Sequence, residues 1–321
     1  MRVLVTGGAG YVGSTLVPYL LGEGHRVRVL DALRRGGTSL LSAWAHPGFE
    51  FVCGDIRDAR TVRDALANVD AVVHLAAIVG DPACAREPEL ARAVNLHAAL
   101  ALLDASQRAG VARFIFASTC SNYGKMRDGS GYVDEQSELA PVSLYAECKV
   151  AVERAMLTEP SDGMSVTPLR FATVYGVSPR MRFDLTVNEF TAAMVRRDRL
   201  VVFGERFWRP YVHVRDAARA VAAVLAAPVD AVCREVFNVG STEENYQKQQ
   251  LVELVRPHAP DAVVEFVHKE EDPRDYRVSF AKIERVLRFH VTRTVPDGIR
   301  EVAQLVRTGI IEDVNDVRYR N

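Results

Sequence analysis

The chain has 321 residues, with 40 Lys and Arg against 41 Asp and Glu and a net charge of −1, and its pI is near 6.7. That balance, spread without a basic block or an acidic tail, excludes nucleic acid as the main partner, because phosphate binding requires clustered positive charge. Hydrophobic residues at 48% and charged residues at 25% exclude global disorder, and a chain of this length buries one large core or two modest ones without disulfides.

Residues 3–6 form a short apolar run, 11–22 carry helical spacing, and 27–30 form a second apolar run ending at Asp31. This predicts a βαβ unit. The opening Val3-Leu4-Val5 reads as a strand and not as a signal peptide. The alternation continues with a strand over 49–53, a helix over 58–67, the run Ala71-Val72-Val73-His74-Leu75, a long helix from 87 to 109, and Phe114-Ile115-Phe116. Continuous apolar strands separated by helices predict an α/β protein with a doubly wound parallel sheet covered by helices on both faces. The segment Ala98-Ala99-Leu100-Ala101-Leu102-Leu103 is apolar all round, where a surface helix would have a polar side. It predicts burial on two sides, one against the sheet and one in a homodimer; the alternative is that alanine is simply a good helix former.

Past residue 170 the pattern becomes irregular, with helices predicted over 184–196, 216–227 and 247–255. The runs Val201-Val202-Phe203 and Val236-Phe237-Asn238 are expected to complete the sheet. The expected division is a nucleotide-binding domain over 1–168, completed by segments near 210–240, and a smaller, mainly substrate-binding domain over 169–321. No stretch approaches the roughly 18 apolar residues that cross a bilayer, so no membrane partner is expected. The cysteines Cys53, Cys84, Cys120, Cys148 and Cys233 form no CxxC pair and are odd in number. They suit a reducing compartment, and the expected location is the cytoplasm.

Two motifs carry chemistry. Gly7, Gly10 and Gly13, with Tyr11 and Val12 between them, sit between the first strand and first helix, where glycines admit a tight turn and let backbone N–H groups reach a pyrophosphate. Asp31 ends the second strand at the distance where a carboxylate accepts from an adenosine ribose. Together they predict a Rossmann unit binding NAD, with Arg34 and Arg35 keeping NADP as the alternative. The second motif is Tyr145-Ala146-Glu147-Cys148-Lys149, preceded by Pro141 and Ser143 as breaker and N-cap. Tyr145 and Lys149 at i and i+4 share a helix face. A neighbouring ammonium and an oxidised nicotinamide both favour a phenolate, which can take a proton from an alcohol as hydride leaves its carbon. The alternative is a surface pair. The strand-end Ser118-Thr119 argues for the chemical reading.

With these motifs the chain resembles the extended short-chain dehydrogenase/reductases that act on nucleotide sugars, the NAD-dependent epimerase/dehydratase group. The likeness runs through TGGAGYVG at 6–13, Asp31, Gly54-Asp55-Ile56, His74-Leu75-Ala76-Ala77, Asn95, STCSNYG at 118–124, YAECK at 145–149, LRFATVYG at 169–176, RPYVHVRD at 209–216 and DGIRE at 297–301. The resemblance implies that Asp55 and Ile56 border the adenine, that Leu75, Ala76, Ala77 and Asn95 serve the cofactor, and that Lys149 also holds the nicotinamide ribose. Thr119 stands where the family has its catalytic Ser or Thr, beside Tyr145 at the sugar O4. Arg209, and Arg274 within Asp272-Pro273-Arg274-Asp275, match arginines that pair with the substrate diphosphate, for which a guanidinium fork is suited; each alternatively makes a surface ion pair. Thr173 replaces an asparagine common in the family. Around Ser178-Pro179-Arg180-Met181-Arg182-Phe183-Asp184-Leu185 and Asn188 the chain resembles members acting at C4, including on activated heptoses. That likeness puts Arg182 and Asn188, or Arg180, toward the substrate, with a solvated loop as the alternative. Ser121 is expected there too.

The residues after Thr119 divide the reactions. Dehydratases of the group carry Asp-Glu there, and glucuronate decarboxylases a glutamate at the second position; this chain has Cys120-Ser121. Elimination therefore lacks its proton carriers, while epimerisation needs only Thr119, Tyr145, Lys149 and a retained NAD. A 4-epimerase is the leading expectation. A net 4-dehydrogenase or ketoreductase uses the same residues, and a non-catalytic NAD sensor is the rival outside enzymes. Cys120 has no activating histidine and reads as a buried small residue. The scattered histidines give no metal spacing, and His74 is expected to shape a strand end.

Overall fold

The computed structural model describes residues 1–126, 131–159, 163–268 and 274–321. In chain order the elements are β1 (Arg2–Thr6), α1 (Gly13–Gly22), β2 (Arg26–Asp31), β3 (Phe49–Cys53), α2 (Ala59–Ala65), β4 (Ala71–His74), α3 (Asp81–Arg86), α4 (Pro88–Arg92), α5 (Ala99–Arg108) and β5 (Arg113–Thr119). Then follow α6 (Leu144–Thr158), β6 (Ser165–Phe171), β7 (Thr173–Tyr175), α7 (Thr186–Arg196), β8 (Leu200–Phe203), β9 (Trp208–His213), α8 (Val214–Ala226) and α9 (Val229–Val232). The last are β10 (Phe237–Val239), β11 (Asn245–Gln247), α10 (Lys248–Val255), β12 (Val264–Val267), α11 (Ala281–Leu287) and α12 (Val295–Thr308).

Seven strands form one sheet in the order β10-β6-β5-β4-β1-β2-β3, and every pair in it is parallel. Strand order reverses beside β1, whose neighbours are β2 on one side and β4 on the other. A crevice at the C-terminal ends of strands belongs at such a switch point. Side chains alternate across the sheet. Val3, Val5, Val29 and Ile115 pack with Leu16 and Leu20 of α1 and Val221 and Val224 of α8, while Leu4, Val72, Phe114 and Val166 pack with Val62 of α2, Leu102 of α5 and Val152 of α6. Both faces are thus dry, which is why the strands read as unbroken apolar runs.

The expected boundary at 168 falls inside β6, and the chain returns to the main core after it, through α8, β10 and α11. A smaller C-terminal region carries its own cores, one around Tyr175, Phe190, Tyr211, Leu251 and Ile299 and one around Met181, Phe183 and Val302. It contains the three-stranded sheet β11-β9-β7 and the pair β12-β8.

Two expectations are corrected. Val201-Val202-Phe203 does not complete the main sheet; β8 pairs with β12 instead, and only Phe237–Val239 joins the large sheet, beside β6. The helix expected over 87–109 is broken. Glu87 leaves helical backbone with φ −129° and ψ 64°, because Pro88 disfavours a helical residue before it. The chain then widens into a π-helical turn at Ala93–Ala98 before α5. Within α5, Leu102 and Leu103 are buried, whereas Ala101 and Asp104 are exposed.

Candidate active site

A cavity of about 770 Å³ opens at the C-terminal ends of β1, β2, β4 and β5. The turn after β1 forms its floor. Gly7 has φ +75°, and a Cβ there would lie 2.7 Å from the Ala76 backbone nitrogen. A Cβ on Gly13 would lie 2.4 Å from the Gly7 carbonyl oxygen. Only glycine lets this turn close against the end of β4. Among the described residues no side chain caps the N-terminus of α1, which starts at this floor. A close-packed glycine cradle, an uncapped helix end and a carboxylate at the end of β2 are the fittings of a dinucleotide diphosphate and ribose.

Gly7, Gly10, Tyr11, Val12, Gly13, Asp31, Asp55, Ile56, Leu75, Ala76 and Ala77 all line the cavity. Asp31 is already engaged with the turn: one carboxylate oxygen accepts from the Ala9 N–H at 2.9 Å and the other from the Leu33 N–H at 2.8 Å. Burial nonetheless raises its pKa. Each oxygen keeps a lone pair for a ribose hydroxyl. Arg34, the nearby cation of the NADP alternative, pairs with Glu87 at 3.4 Å. Asp55 is held by Arg57, which lowers its pKa. Asn95 stands behind the wall, clamping Ile78 with its amide: Oδ1 accepts from the Ile78 N–H at 2.8 Å and Nδ2 donates to the Ile78 carbonyl at 2.9 Å. His74 is fully buried and bonded to Thr6 Oγ1 at 2.7 Å; burial pushes its pKa down to about 3, so it is neutral.

Across from the glycine turn, β5 ends at Thr119 and α6 follows its N-cap, Ser143. The Ser143 side chain accepts from the Ala146 N–H, capping the helix as expected. Thr119, Ser121, Tyr145 and Lys149 line the same cavity. Thr119 Oγ1 accepts from the Ser121 N–H at 3.1 Å. Lys149 is buried, donates from Nζ to the Ala117 carbonyl at 2.7 Å and lies 5.7 Å from the Tyr145 ring centre. Burial pushes its pKa down to about 8. Tyr145 is partly exposed at the wall, yet enclosure by protein pushes its phenol well above the ordinary range, with Arg182 opposing. Cys120 turns away from the cavity: its thiol donates to the Arg170 carbonyl at 3.2 Å and burial raises its pKa strongly.

Thr173, Arg182, Arg209 and Arg274 line the far side. Arg182 makes a fork to Asp184 at 2.9 and 2.7 Å, Arg209 lies over the Tyr276 ring at 5.5 Å, and Arg274 donates to Asp81 at 2.6 Å. Asp272 and Pro273 of the same motif lie outside the described residues. Asn188 is wholly buried behind this wall. Its Oδ1 accepts from the Gly176 N–H and its Nδ2 donates to the Arg182 carbonyl. Arg180 reaches the Arg320 carbonyl and Asn321 Oδ1, and burial pushes its pKa down to about 10.

Sequence reading missed Asp81, Tyr276 and Arg320. Tyr276 stands two residues beyond Arg274, the spacing that puts side chains on one side of extended backbone. Asp81 and Arg320 carry no local signal, because their partners are far along the chain. Among the described residues, no three His, Cys, Asp or Glu side chains are grouped to hold a metal ion.

Residues 3–240 match the family model described as the NAD dependent epimerase/dehydratase family. A dTDP-glucose 4,6-dehydratase of Actinoplanes sp. is 32% identical, covering 96% of this chain and 98% of that protein. A UDP-glucose 4-epimerase of Corynebacterium glutamicum is 30% identical, covering 80% of each chain. Among solved structures, the UDP-glucose 4-epimerase of Thermus thermophilus in complex with NAD superposes with a TM-score of 0.83 at 28% identity, covering 97% of this chain and all of that one.

Proposed function

The chain belongs to the NAD dependent epimerase/dehydratase family, extended short-chain dehydrogenase/reductases acting on nucleotide sugars, and on that premise we propose that it is a nucleotide-sugar 4-epimerase. The relatives do not separate epimerase from dehydratase, since both are about equally similar. The observation that carries the choice is the pair after Thr119. Cys120, at the position of the dehydratase acid, faces the Arg170 carbonyl and not the cavity, and Ser121, which does line the cavity, hydrogen-bonds Tyr276. Neither side chain has a carboxyl with which to carry a proton to or from C5 and C6.

When bound, NAD would supply reversible hydride acceptance at the sugar carbon. The glycine turn and the N-terminus of α1 would hold its diphosphate, Asp31 the adenosine ribose, Asp55 and Ile56 the adenine end, Leu75, Ala76 and Ala77 its flank, and Lys149 the nicotinamide ribose. Asn95 would act on the cofactor through Ile78. Tyr145 is the base, removing the proton of the C4 hydroxyl and later returning it, with Thr119 Oγ1 bonded to the same oxygen. Enclosure holds the Tyr145 phenol protonated in the protein alone, so ionisation at neutral pH depends on added positive charge beside it. Lys149 supplies part of that charge on the same helix face. The substrate diphosphate would engage Arg209 and Arg274, with Ser121, Thr173 and Arg182 around the sugar and Asn188 setting the Arg182 backbone.

Exposed Ala101, between half-buried Leu100 and exposed Asp104, is flanked by clefts on both sides of α5. We read this as the contact face of a homodimer, testable by sedimentation, and place the enzyme in the cytoplasm.

The test is to incubate the protein with UDP-, GDP-, dTDP-, CDP- and ADP-sugars and follow products by NMR. An inverted C4 centre without net NADH is expected. Stoichiometric NADH or an accumulating 4-keto sugar would overturn the epimerase reading in favour of a net oxidoreductase.

A further inference from the structure

The helix face that carries Tyr145 and Lys149 continues, at the next i+4 step, to Glu153. Glu153 and its partner Arg170, on β6, are 1% and 4% exposed. Arg170 Nε lies 3.2 and 3.1 Å from the two carboxylate oxygens and Nη2 donates to Oε2 at 2.7 Å. Oε1 also accepts from Ser118 Oγ and, at 2.9 Å, from Asn122 Nδ2. Arg170 Nη1 donates to the Tyr123 hydroxyl at 3.0 Å, which donates on to Asn238 Oδ1 at 2.8 Å. In the β5-β6 ladder Ser118 is the register partner of Arg170, and Ser118 directly precedes Thr119.

One carboxylate therefore ties α6 to the ends of β5 and β6 at the residue next to Thr119. Neither Glu153 nor Arg170 lines the cavity, and Glu153 has no oxygen left over for a substrate. Stability alone does not account for the pair, because an apolar pair of similar volume is often as stable as a buried ion pair. What a fork supplies and an apolar contact does not is a fixed orientation. Without the fork, α6 would rest on the apolar contacts of Val152 and Met156, the Lys149 bond to the Ala117 carbonyl and the Ser143 bond to Asp81, and a slip of one residue would rotate its side chains by about 100°.

We propose that the Glu153–Arg170 pair is a positioning element that locks α6 against β5 and β6, so that Tyr145 and Lys149 stand in register with Thr119. This rests on the reading of Tyr145 and Lys149 as the reactive pair.

The test is the double variant Glu153→Gln/Arg170→Met. Glutamine keeps an acceptor for Ser118 and Asn122, methionine fills the arginine's volume, and no charge is orphaned. Folding is checked by thermal denaturation. The readouts are kcat and KM for the nucleotide sugar that the wild type turns over. Expected are a kcat lower by about tenfold to a hundredfold, the loss that a misplacement near 1 Å produces, and a KM little changed. Wild-type kcat in a folded variant overturns the proposal, as does a loss carried by KM alone. Should the double variant not fold, Arg170→Lys decides on kcat, because it keeps the charge and loses the fork. Tyr145→Phe is run beside them: wild-type turnover there overturns the proposed function itself, whereas an inactive Tyr145→Phe beside a fully active pair variant overturns only the positioning role.

Discussion

Tyr145 sits in a wall that opposes its own ionisation, and Lys149 sits in one that opposes its charge. Replacing Tyr145 by Phe removes the proton acceptor and leaves the glycine turn untouched. Cofactor retention should survive while kcat falls by about two orders of magnitude or more, the scale of general acid–base catalysis; bound-nucleotide absorbance and steady-state kinetics measure the two separately. Lys149 makes a stability prediction of definite sign. Its pKa is about 8 when folded and 10.5 ordinarily, so between those values the unfolded chain binds more protons and stability rises with pH. Below pH 8 the burial penalty is fully present. Lys149→Met should raise the melting temperature of the cofactor-free protein at pH 7, and the gain should shrink toward pH 10 as turnover stays abolished. An unchanged or lower melting temperature at pH 7 would show that the amine's bond to the Ala117 carbonyl outweighs its desolvation.

Among the elements, the start of α1 depends on a single missing atom. Gly13→Ala would push a Cβ to 2.4 Å from the Gly7 carbonyl oxygen, a separation no packed backbone tolerates. The turn must open, and the variant should lose bound dinucleotide during gel filtration while keeping its far-UV circular dichroism. The glycine turn, α6 and its cap were legible in the sequence because each is local: Gly7 to Gly13, Ser143 to Ala146, Tyr145 to Lys149 all interact within a few residues. What was not legible is non-local. The four-residue run at β8 has the same composition as a central strand, and nothing within it says that β12 and not β6 will be its partner. The π-helical turn at Ala93–Ala98 is likewise invisible to a 3.6-residue period. It places Asn95 over Ile78, and the clamp between them joins positions far apart in sequence. Arg274 was read as a phosphate ligand from its likeness to a family arginine; its bond to Asp81, whose other oxygen accepts from Ser143, depends on three separate segments meeting.

At the scale of the whole molecule, the glycine turn is stitched to the segment that carries the arginines. The Tyr11 hydroxyl donates to the Gly176 carbonyl at 2.6 Å and accepts from Asn188 Nδ2 at 3.2 Å, while Ser178 Oγ donates to the Tyr11 carbonyl at 2.6 Å. Tyr11→Phe should cost about 1–3 kcal/mol in denaturant unfolding, the range for an orphaned buried partner, and should raise KM for the nucleotide sugar more than it lowers kcat, because the arginine segment loosens. The seventh strand raises a different matter, the order of events as the chain leaves the ribosome. β6 offers a bare edge from the moment residue 171 emerges, and its mate, Phe237–Val239, follows only after the intervening C-terminal elements have been made. At about 5–20 residues per second this interval lasts several seconds, during which Leu169 and Phe171 form an unpaired ladder of the kind that recruits other strands. A chain ending at residue 230 should therefore pellet on expression where the full chain stays in the supernatant, a difference read directly by centrifugation of the lysate.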